Sequence, residues 1–124
     1  RPTQIYWSWL GSLPTLLTGT ATQSFPMVRA TRNWTLDSVF VSLLSAPSLG
    51  ALQTDINYYS SPTAAGTSIF SVLPLVGVGA YESLATPGTL SFTSLASGVY
   101  LRPQVLKPNG SGELMISLGA RERQ

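Results

Sequence analysis

The chain contains no histidine and no cysteine among its 124 residues. Without histidine it lacks the commonest general base and the commonest metal ligand of proteins. Without cysteine it has no disulfide framework and no thiolate for a structural zinc site. These two absences exclude the Ser-His-Asp and Cys-His catalytic arrangements, and we expect no metal or organic cofactor.

Charged residues are also scarce, at 10% of the chain against about 25% in typical soluble domains. A glycosidase needs two carboxylates that flank one bond. Asp55 and Glu113 would form such a pair only if their strands were neighbours. The acidic residues are Asp37, Asp55, Glu82, Glu113 and Glu122. With so few carboxylates and no histidine, we predict that the protein is not an enzyme.

The seven basic residues are scattered along the chain and form no stripe. Nucleic-acid binding therefore has no electrostatic footprint in this sequence. Residues 121–124, Arg-Glu-Arg-Gln, are interpreted as a solvated tail. The longest apolar run, residues 72–80, contains a proline and two glycines and is too short to span a bilayer, so we expect no membrane insertion.

Serine and threonine supply most of the polar surface in place of charged groups. A neutral hydroxyl surface costs less to remove from water than a charged one. This composition favours a protein whose surfaces pack against other subunits. The alternative is a secreted β-sandwich that has the same composition without assembling.

Alternating hydrophobicity predicts an antiparallel β-protein. About eight short strands, turn signals every 8–15 residues and the lack of helical periodicity indicate a jelly-roll-like β-sandwich. It is expected to be a single domain over residues 1–124, with residues 1–3 and 120–124 as extended termini. The predicted strands cover residues 4–11, 26–29, 34–45, 52–58, 67–70, 81–85, 90–95, 99–106 and 113–118, with an irregular crossing over residues 72–79.

The strongest predicted strand, residues 34–45, changes phase along its length. Trp34 and Leu36 share one phase, whereas Val39 and the following alternate residues share the other. A β-bulge near Asp37 and Ser38 would produce this change. Pro103 lies inside another predicted strand, which favours an edge or bulged position for that strand.

The phasing places four large side chains on the outside of the sandwich. We predict that Phe40, Leu44, Tyr100 and Met115, together with the two termini, form a subunit interface. Trp7 and Trp34 are assigned to the core, because tryptophans in strands are usually core residues.

The adjacent Tyr58 and Tyr59 end a strand beside a loop, and one of them must face outward. Loops beside strand ends are a common location for binding residues. Tyr58 and Tyr59 are therefore candidate ligand-facing residues, since an aromatic face complements the apolar face of a sugar. The segment Asp55-Ile56-Asn57 is interpreted as a strand end whose side chains hold the following loop. A calcium site built on Asp55 and Asn57 is the alternative.

The order of several short motifs resembles a β-sandwich module of tailed-bacteriophage virion proteins, of the tail-fibre, tail-tip or capsid-decoration type. The resemblance covers roughly residues 34–118. The motifs are Ala46-Pro47, Asp55-Ile56-Asn57, Gly66-Thr67-Ser68-Ile69-Phe70, Gly98-Val99-Tyr100-Leu101 and Gly112-Glu113-Leu114. The chain departs from the pattern at Val99, where the module has Asp, and at Glu113, where the module has Gly-Ala-Asp-Leu.

The resemblance implies a non-enzymatic structural protein of a virion that assembles as a homo-oligomer, a trimer, with other virion proteins as partners. Two placements follow from it. One is a capsid decoration, cement or head-fibre component, and the other is a tail-fibre or tail-tip module that binds a host-surface glycan. A third alternative, from a different class, is a carbohydrate-binding module of a secreted protein.

Overall fold

The computed structural model describes residues 4–13, 23–47, 50–107 and 111–123. This part of the chain forms twelve β-strands and no helix, and therefore no helix that could cross a membrane. The all-β prediction is confirmed. The strands are β1 (Gln4–Leu13), β2 (Gln23–Ser24), β3 (Val28–Arg29), β4 (Trp34–Ser45), β5 (Leu52–Tyr59), β6 (Thr67–Ser68), β7 (Phe70–Val72), β8 (Leu75–Val76), β9 (Thr89–Leu90), β10 (Ser94–Leu95), β11 (Tyr100–Lys107) and β12 (Ser111–Glu122).

Two antiparallel sheets carry the fold. Sheet A has the strand order β1-β12-β4-β10, and sheet B has the order β2-β11-β5-β6, with β3 also paired to β11 and β8 to β5. A small third sheet joins β7 and β9. The chain crosses from one large sheet to the other repeatedly: after β1, β3, β4, β10 and β11, and from β8 to β10 by way of β9 in the third sheet. These crossings give the jelly-roll-like sandwich that the sequence predicts.

The core lies between the inner faces of the two large sheets. Sheet A contributes Val41, Ile116 and Leu118, and sheet B contributes Ile56 and Leu101, all at most 1% exposed. Strict alternation in the long strands produces this layer, because every second side chain points to the same face.

The tryptophans extend this core at one end of sheet A. Trp34 is 4% exposed, and its ring meets the half-buried ring of Trp7 edge to face at 5.6 Å between centroids. Trp9 is also 4% exposed, and its indole N–H donates to the carbonyl oxygen of Pro26 at 3.1 Å. The assignment of Trp34 to the core is confirmed, and Trp7 packs against the same cluster.

A β-bulge interrupts β4 at Asp37. Gly119 of β12 lies opposite Ser38, and Ala120 lies opposite Leu36, so Asp37 is an extra residue on β4. The extra residue lets Leu36 and Val41 both point into the core although their spacing is odd. The bulge predicted near Asp37 and Ser38 is confirmed.

Strand β11 is a central strand of sheet B, so the edge alternative predicted for it is wrong, whereas the bulged alternative is confirmed by a register shift against β5 between Val105 and Lys107. It pairs with β5 on one side and with β2 and β3 on the other. Pro103 is tolerated because the neighbouring chain is interrupted there. Three residues, 25–27, separate β2 from β3 where β11 has only Arg102 and Pro103. The carbonyl of Pro103 accepts from the Phe25 amide across this gap at 3.4 Å, and no strand there requires the N–H that proline lacks.

The C-terminal tail prediction is wrong for residues 120–122. Strand β12 continues to Glu122, and Ala120 is fully buried. Arg121 lies opposite Thr35, and the Arg123 amide donates to the Asn33 carbonyl oxygen at 2.9 Å. Pairing with β4 therefore holds this charged segment in the sheet, whereas Gln124 and residues 1–3 lie outside the described part of the chain.

Several predicted short strands are shorter or more irregular than expected. Residues 81–85 contain one bridge, between Glu82 and Ser42, with the Leu43 amide donating to the Tyr81 carbonyl oxygen at 2.8 Å. The strand expected over residues 90–95 is divided into β9 and β10, and β3 occupies only Val28–Arg29 of the strand expected over residues 26–29. The crossing over residues 72–79 contains β8, which pairs with β5.

Candidate interaction surfaces

The outer face of sheet A is the first candidate surface. It consists of the side chains of β1, β12 and β4 that alternate with the core residues. Its centre is made of three cross-strand rows: Tyr6–Gly119–Ser38, Ser8–Ser117–Phe40 and Leu10–Met115–Ser42.

This face exposes large apolar groups to water. Leu10 is 76% exposed, Leu44 is 67% exposed and Tyr6 is 62% exposed, whereas Phe40 and Met115 are half-buried. An isolated exposed leucine is unremarkable in a soluble protein, but a contiguous apolar face is characteristic of an interaction site.

An open depression of about 380 Å³ lies at one end of this face. Its lining includes the apolar residues Leu10, Leu44 and Met115 together with the carboxylates Glu82 and Glu113. Hydroxyl groups fill the space between the apolar side chains, and the Ser8 and Ser117 oxygens are 3.3 Å apart. The centre of the surface is thus uncharged and combines apolar side chains with hydroxyl groups.

The charges of this face lie at its two ends. Glu113 is near the start of β12, and Arg121 is near its end. Arg121 forms an ion pair in which its Nε lies 3.5 Å from Asp37 Oδ2. At about 3.3 Å per residue, Glu113 and Arg121 are separated by roughly 26 Å along the strand.

The outer face of sheet B is the second candidate surface, and it is polar. Asn57 donates its side-chain N–H to Gln104 Oε1 at 3.2 Å. Arg102 donates from Nη2 to the Tyr59 hydroxyl at 3.2 Å, and its guanidinium carbon lies 5.1 Å from the centroid of the Tyr59 ring. The buried Nε of Arg102 has no hydrogen-bond partner among the described residues. Strand β5 thus presents amide and aromatic groups that β11 pairs within the same molecule.

Asp55 is the most buried carboxyl group among the described residues, at 9% exposure. Burial raises its pKa above the ordinary value of 3.8, and hydrogen bonds from the Ser68 hydroxyl and the Ile56 amide partly oppose this rise. The Ser68 hydroxyl donates to Asp55 Oδ1 at 2.5 Å. Asp55 lies inside β5, so its predicted position at a strand end is wrong. Its carboxylate still holds the following loop, as predicted, because Ser68 lies beyond that loop.

Asp55 and Glu113 do not form a catalytic pair, because β5 belongs to sheet B and β12 to sheet A. The hypothesis that their strands pair is wrong. The described residues contain no group of three or more carboxylate, histidine or cysteine side chains that would hold a metal ion.

The two tyrosines proposed to face a ligand have different environments. Tyr59 is only 6% exposed, because the loop at Gly66 covers its ring. A Cβ at Gly66 would lie 2.6 Å from Tyr59 Cε2. The ligand-facing prediction for Tyr59 is therefore wrong. Tyr58 is half-buried and meets Phe92 edge to face at 5.1 Å between centroids, so its role stays a prediction.

The four predicted interface residues do not form one patch. Phe40, Leu44 and Met115 lie on the outer face of sheet A. Tyr100 lies on sheet B, opposite Tyr59 and Arg29, and it is half-buried there. The interface prediction stays a prediction for the first three residues, and Tyr100 is separated from them.

Tyr6 and Leu10 are exposed residues that the interface prediction omitted. Both alternate with Ile5, Trp7 and Trp9 in β1. The same period-two pattern that placed the tryptophans inside places these two side chains outside. The signal was therefore present in the sequence, and it identifies β1 as part of the same surface as β12 and β4.

No protein-family model matches the chain, and no curated protein matches it. The solved structures that are similar in fold include a phage capsid and an adhesin domain. The capsid of Ralstonia phage GP4 matches with a TM-score of 0.55 and 7% identity, over 100% of this chain and 86% of that chain. The K3 cleaved adhesin domain of Lys-gingipain from Porphyromonas gingivalis W83 matches with a TM-score of 0.51 and 10% identity, over 92% of this chain and 73% of that one. At these identities the likeness shows a shared β-sandwich fold.

Proposed function

We propose that the chain is a non-enzymatic structural protein of a tailed-phage virion, acting as a capsid decoration, cement or head-fibre component. It works by burying the outer face of sheet A against other subunits. The single observation that carries this proposal is the exposure of Tyr6, Leu10 and Leu44 on one neutral face.

The physical basis is the hydrophobic effect. Apolar surface removed from water contributes about 25 cal/mol per Å², and the serines between the apolar groups add little desolvation cost compared with charges. The central rows of this face contain no charged residue. Closing it against a protein surface is therefore favourable without any catalytic or ligand-binding group.

Two further observations support the virion setting. The motif order over residues 34–118 resembles a module of tailed-phage virion proteins, and the fold is similar to that of a phage capsid structure. Assembly as a homo-oligomer belongs to this proposal, and the trimer that the resemblance implies stays a separate prediction. The setting proposed is the extracellular particle.

A tail-fibre or tail-tip module that binds a host glycan is the second candidate. It is favoured by an open, mainly apolar depression of about 330 Å³ that Tyr58, Phe92 and Val99 help to line. An aromatic ring at the wall of such a depression suits the apolar face of a sugar. The adhesin domain with a similar fold is consistent with surface recognition.

The composition of purified particles tests the proposed function. Particles released from the cells that express this chain are banded on a density gradient, and their proteins are quantified by mass spectrometry. We expect the chain in a fixed ratio to the major shell protein, with immunogold label on the head. Label confined to the tail would favour the second candidate, and absence of the chain from banded particles would overturn both.

A further inference from the structure

We propose that the outer face of sheet A binds the same face of a second copy of this chain across a two-fold axis. The axis lies in the plane of the contact and runs at right angles to the strands. This inference deepens the proposed function, on which it rests, because it names the partner of the exposed face and the symmetry of the contact.

The rows of the face are complementary under this rotation. Rotation about an axis over the row Ser8–Ser117–Phe40 reverses the strand direction and places this row over its own copy. The row that contains Leu10 and Met115 then faces the row that contains Tyr6 in the second copy.

The Tyr6 ring is the counterpart of the aliphatic groups in this arrangement. It lies across Gly119, where an added Cβ would come within 2.8 Å of Tyr6 Cε1. The ring is therefore spread over the sheet and presents a broad apolar surface. The aliphatic side chains of Leu10 and Met115 meet that surface in the second copy. The row that contains Leu10 and the row that contains Tyr6 therefore fit each other better than either row fits the same row of a second copy.

The charges select this orientation over the alternative one. Reversal of the strand direction brings Glu113 of each copy towards Arg121 of the other, which gives two symmetric ion pairs. An axis parallel to β12 would instead bring Glu113 towards its own copy and Arg121 towards its own. Like charges across an interface suppress a wrong orientation, and opposite charges fix the register.

Arg121 keeps hydrogen-bond capacity for this contact. Its guanidinium group has five N–H donors, and its contact with Asp37 involves Nε at 3.5 Å. The Arg121 side chain is 57% exposed and the Asp37 side chain is 35% exposed. The Glu113 carboxylate is exposed and has no ion pair among the described residues.

The size of the face fits a weak, specific dimer. Three strands at about 4.8 Å spacing and a strand length of about 26 Å give a footprint of roughly 370 Å² per copy. The total of about 750 Å² is below the roughly 1,000 Å² of a stable biological interface and fits a weak, transient contact. We therefore expect dissociation in the micromolar range rather than an obligate dimer.

A charge exchange on the full chain tests the inference by sedimentation equilibrium. Wild type is expected to form a dimer of twice the 13.2 kDa chain mass. Glu113→Arg or Arg121→Glu alone is expected to weaken the dimer by about 10-fold or more, and the double exchange to restore it to within about threefold. Restoration requires that the two positions face each other across the contact.

Arg29→Glu is the matched control, because it changes the net charge as Arg121→Glu does but lies on sheet B. It is expected to leave the dimer unchanged. The melting temperature of each variant is measured as well, so that a loss of dimer is not confused with a loss of folding. A monomer at all concentrations, or a double exchange that stays dissociated while folded, would overturn the inference. A trimer would also overturn the two-fold contact but leave the proposed function, which the particle composition tests separately.

Discussion

The outward side chains of the two sheets differ in how they are partnered. On sheet B the polar side chains find partners within the molecule: Asn57 bonds to Gln104, Arg102 to Tyr59 and Asp55 to Ser68. On sheet A the outward side chains are apolar or hydroxyl groups, and Leu10 and Leu44 remain largely in water. Apart from the buried Nε of Arg102, which has no hydrogen-bond partner among the described residues, these sheet B groups are satisfied within the chain, whereas the apolar face of sheet A gains free energy only when something covers it.

The difference originates in the outward positions of the strands. In β5 and β11 these positions carry amide, carboxyl, guanidinium and phenol groups, which hydrogen-bond across neighbouring strands. In β1, β4 and β12 they carry serine, tyrosine, leucine, phenylalanine, methionine and glycine between the charged ends. Both sheets keep apolar inner faces, so the fold tolerates either kind of outer face.

The largest expected effect concerns the loop at Gly66, which covers the Tyr59 ring on sheet B. Gly66→Ala places a Cβ 2.6 Å from the buried Tyr59 ring, and relief of this overlap would cost about 1–3 kcal/mol of unfolding free energy. Gly77→Ala is the control, because a Cβ there meets nothing within 4 Å. Urea unfolding of both variants checks the prediction, and equal stability of the two would show that the loop does not hold Tyr59.

The next largest effect concerns the outer face of sheet A. Phe40→Ser is expected to weaken oligomers by about tenfold or more, since removal of a central apolar side chain costs over about 1.4 kcal/mol of binding free energy. Its melting temperature should change less, because Phe40 points away from the core. Tyr100→Ser, on sheet B, is the control and should leave oligomers intact. Light scattering after size-exclusion chromatography measures assembly, and equal losses of assembly and of folding would contradict the account.

A matched pair of serine substitutions compares the two faces directly. Ser68→Ala removes the hydroxyl that binds Asp55 at 2.5 Å, and we expect a loss of about 1–2 kcal/mol because a buried oxygen loses its donor. Ser117→Ala removes a partner of Ser8 at 3.3 Å in an exposed pair, and the expected change is within about 0.5 kcal/mol. Denaturant unfolding at low protein concentration measures both as monomers. Similar losses of unfolding free energy in the two variants would show that the hydrogen bonds of the two faces contribute equally to stability.

The smallest expected effect is on the pH dependence of stability. The pKa of Asp55 is raised in the folded chain above 3.8 by burial, so the folded state binds more protons than the unfolded state just above pH 3.8. Stability contributed by the protonated group is therefore lost as pH rises through the folded pKa. Asp55→Asn should remove this decrease from a series of urea unfolding curves taken upward from pH 3.8. An unchanged slope in Asp55→Asn would assign the dependence to another group.

Alternation was sufficient to predict the long strands, the inward tryptophans and the bulge at Asp37. It failed where burial depends on a distant segment. Tyr59 occupies an outward position but is covered by the loop at Gly66, and no local pattern encodes that contact. The charged end of β12 was interpreted as a tail because its pairing with β4 near Thr35 is a long-range contact.

The candidate surface was only partly predictable for a related reason. The phasing of β4 and β12 identified Phe40, Leu44 and Met115 as outward. The phasing of β11 likewise identified Tyr100 as outward. Tyr100 was grouped with the other three because strand phase does not say to which sheet a strand belongs. The membership of β1, β4 and β12 in one sheet brings Leu10 beside Met115, and strand order of this kind depends on the whole topology.

The central claim, that copies meet on the outer face of sheet A, is tested most directly by hydroxyl-radical footprinting of the full chain at low and high concentration. Both faces are probed in the same molecule, so sheet B serves as the internal control. We predict that Tyr6, Phe40 and Met115 lose reactivity as the chain is concentrated, while Tyr100 on the outer face of sheet B keeps its reactivity. Unchanged reactivity of the sheet A residues, or protection confined to Tyr100, would contradict the account.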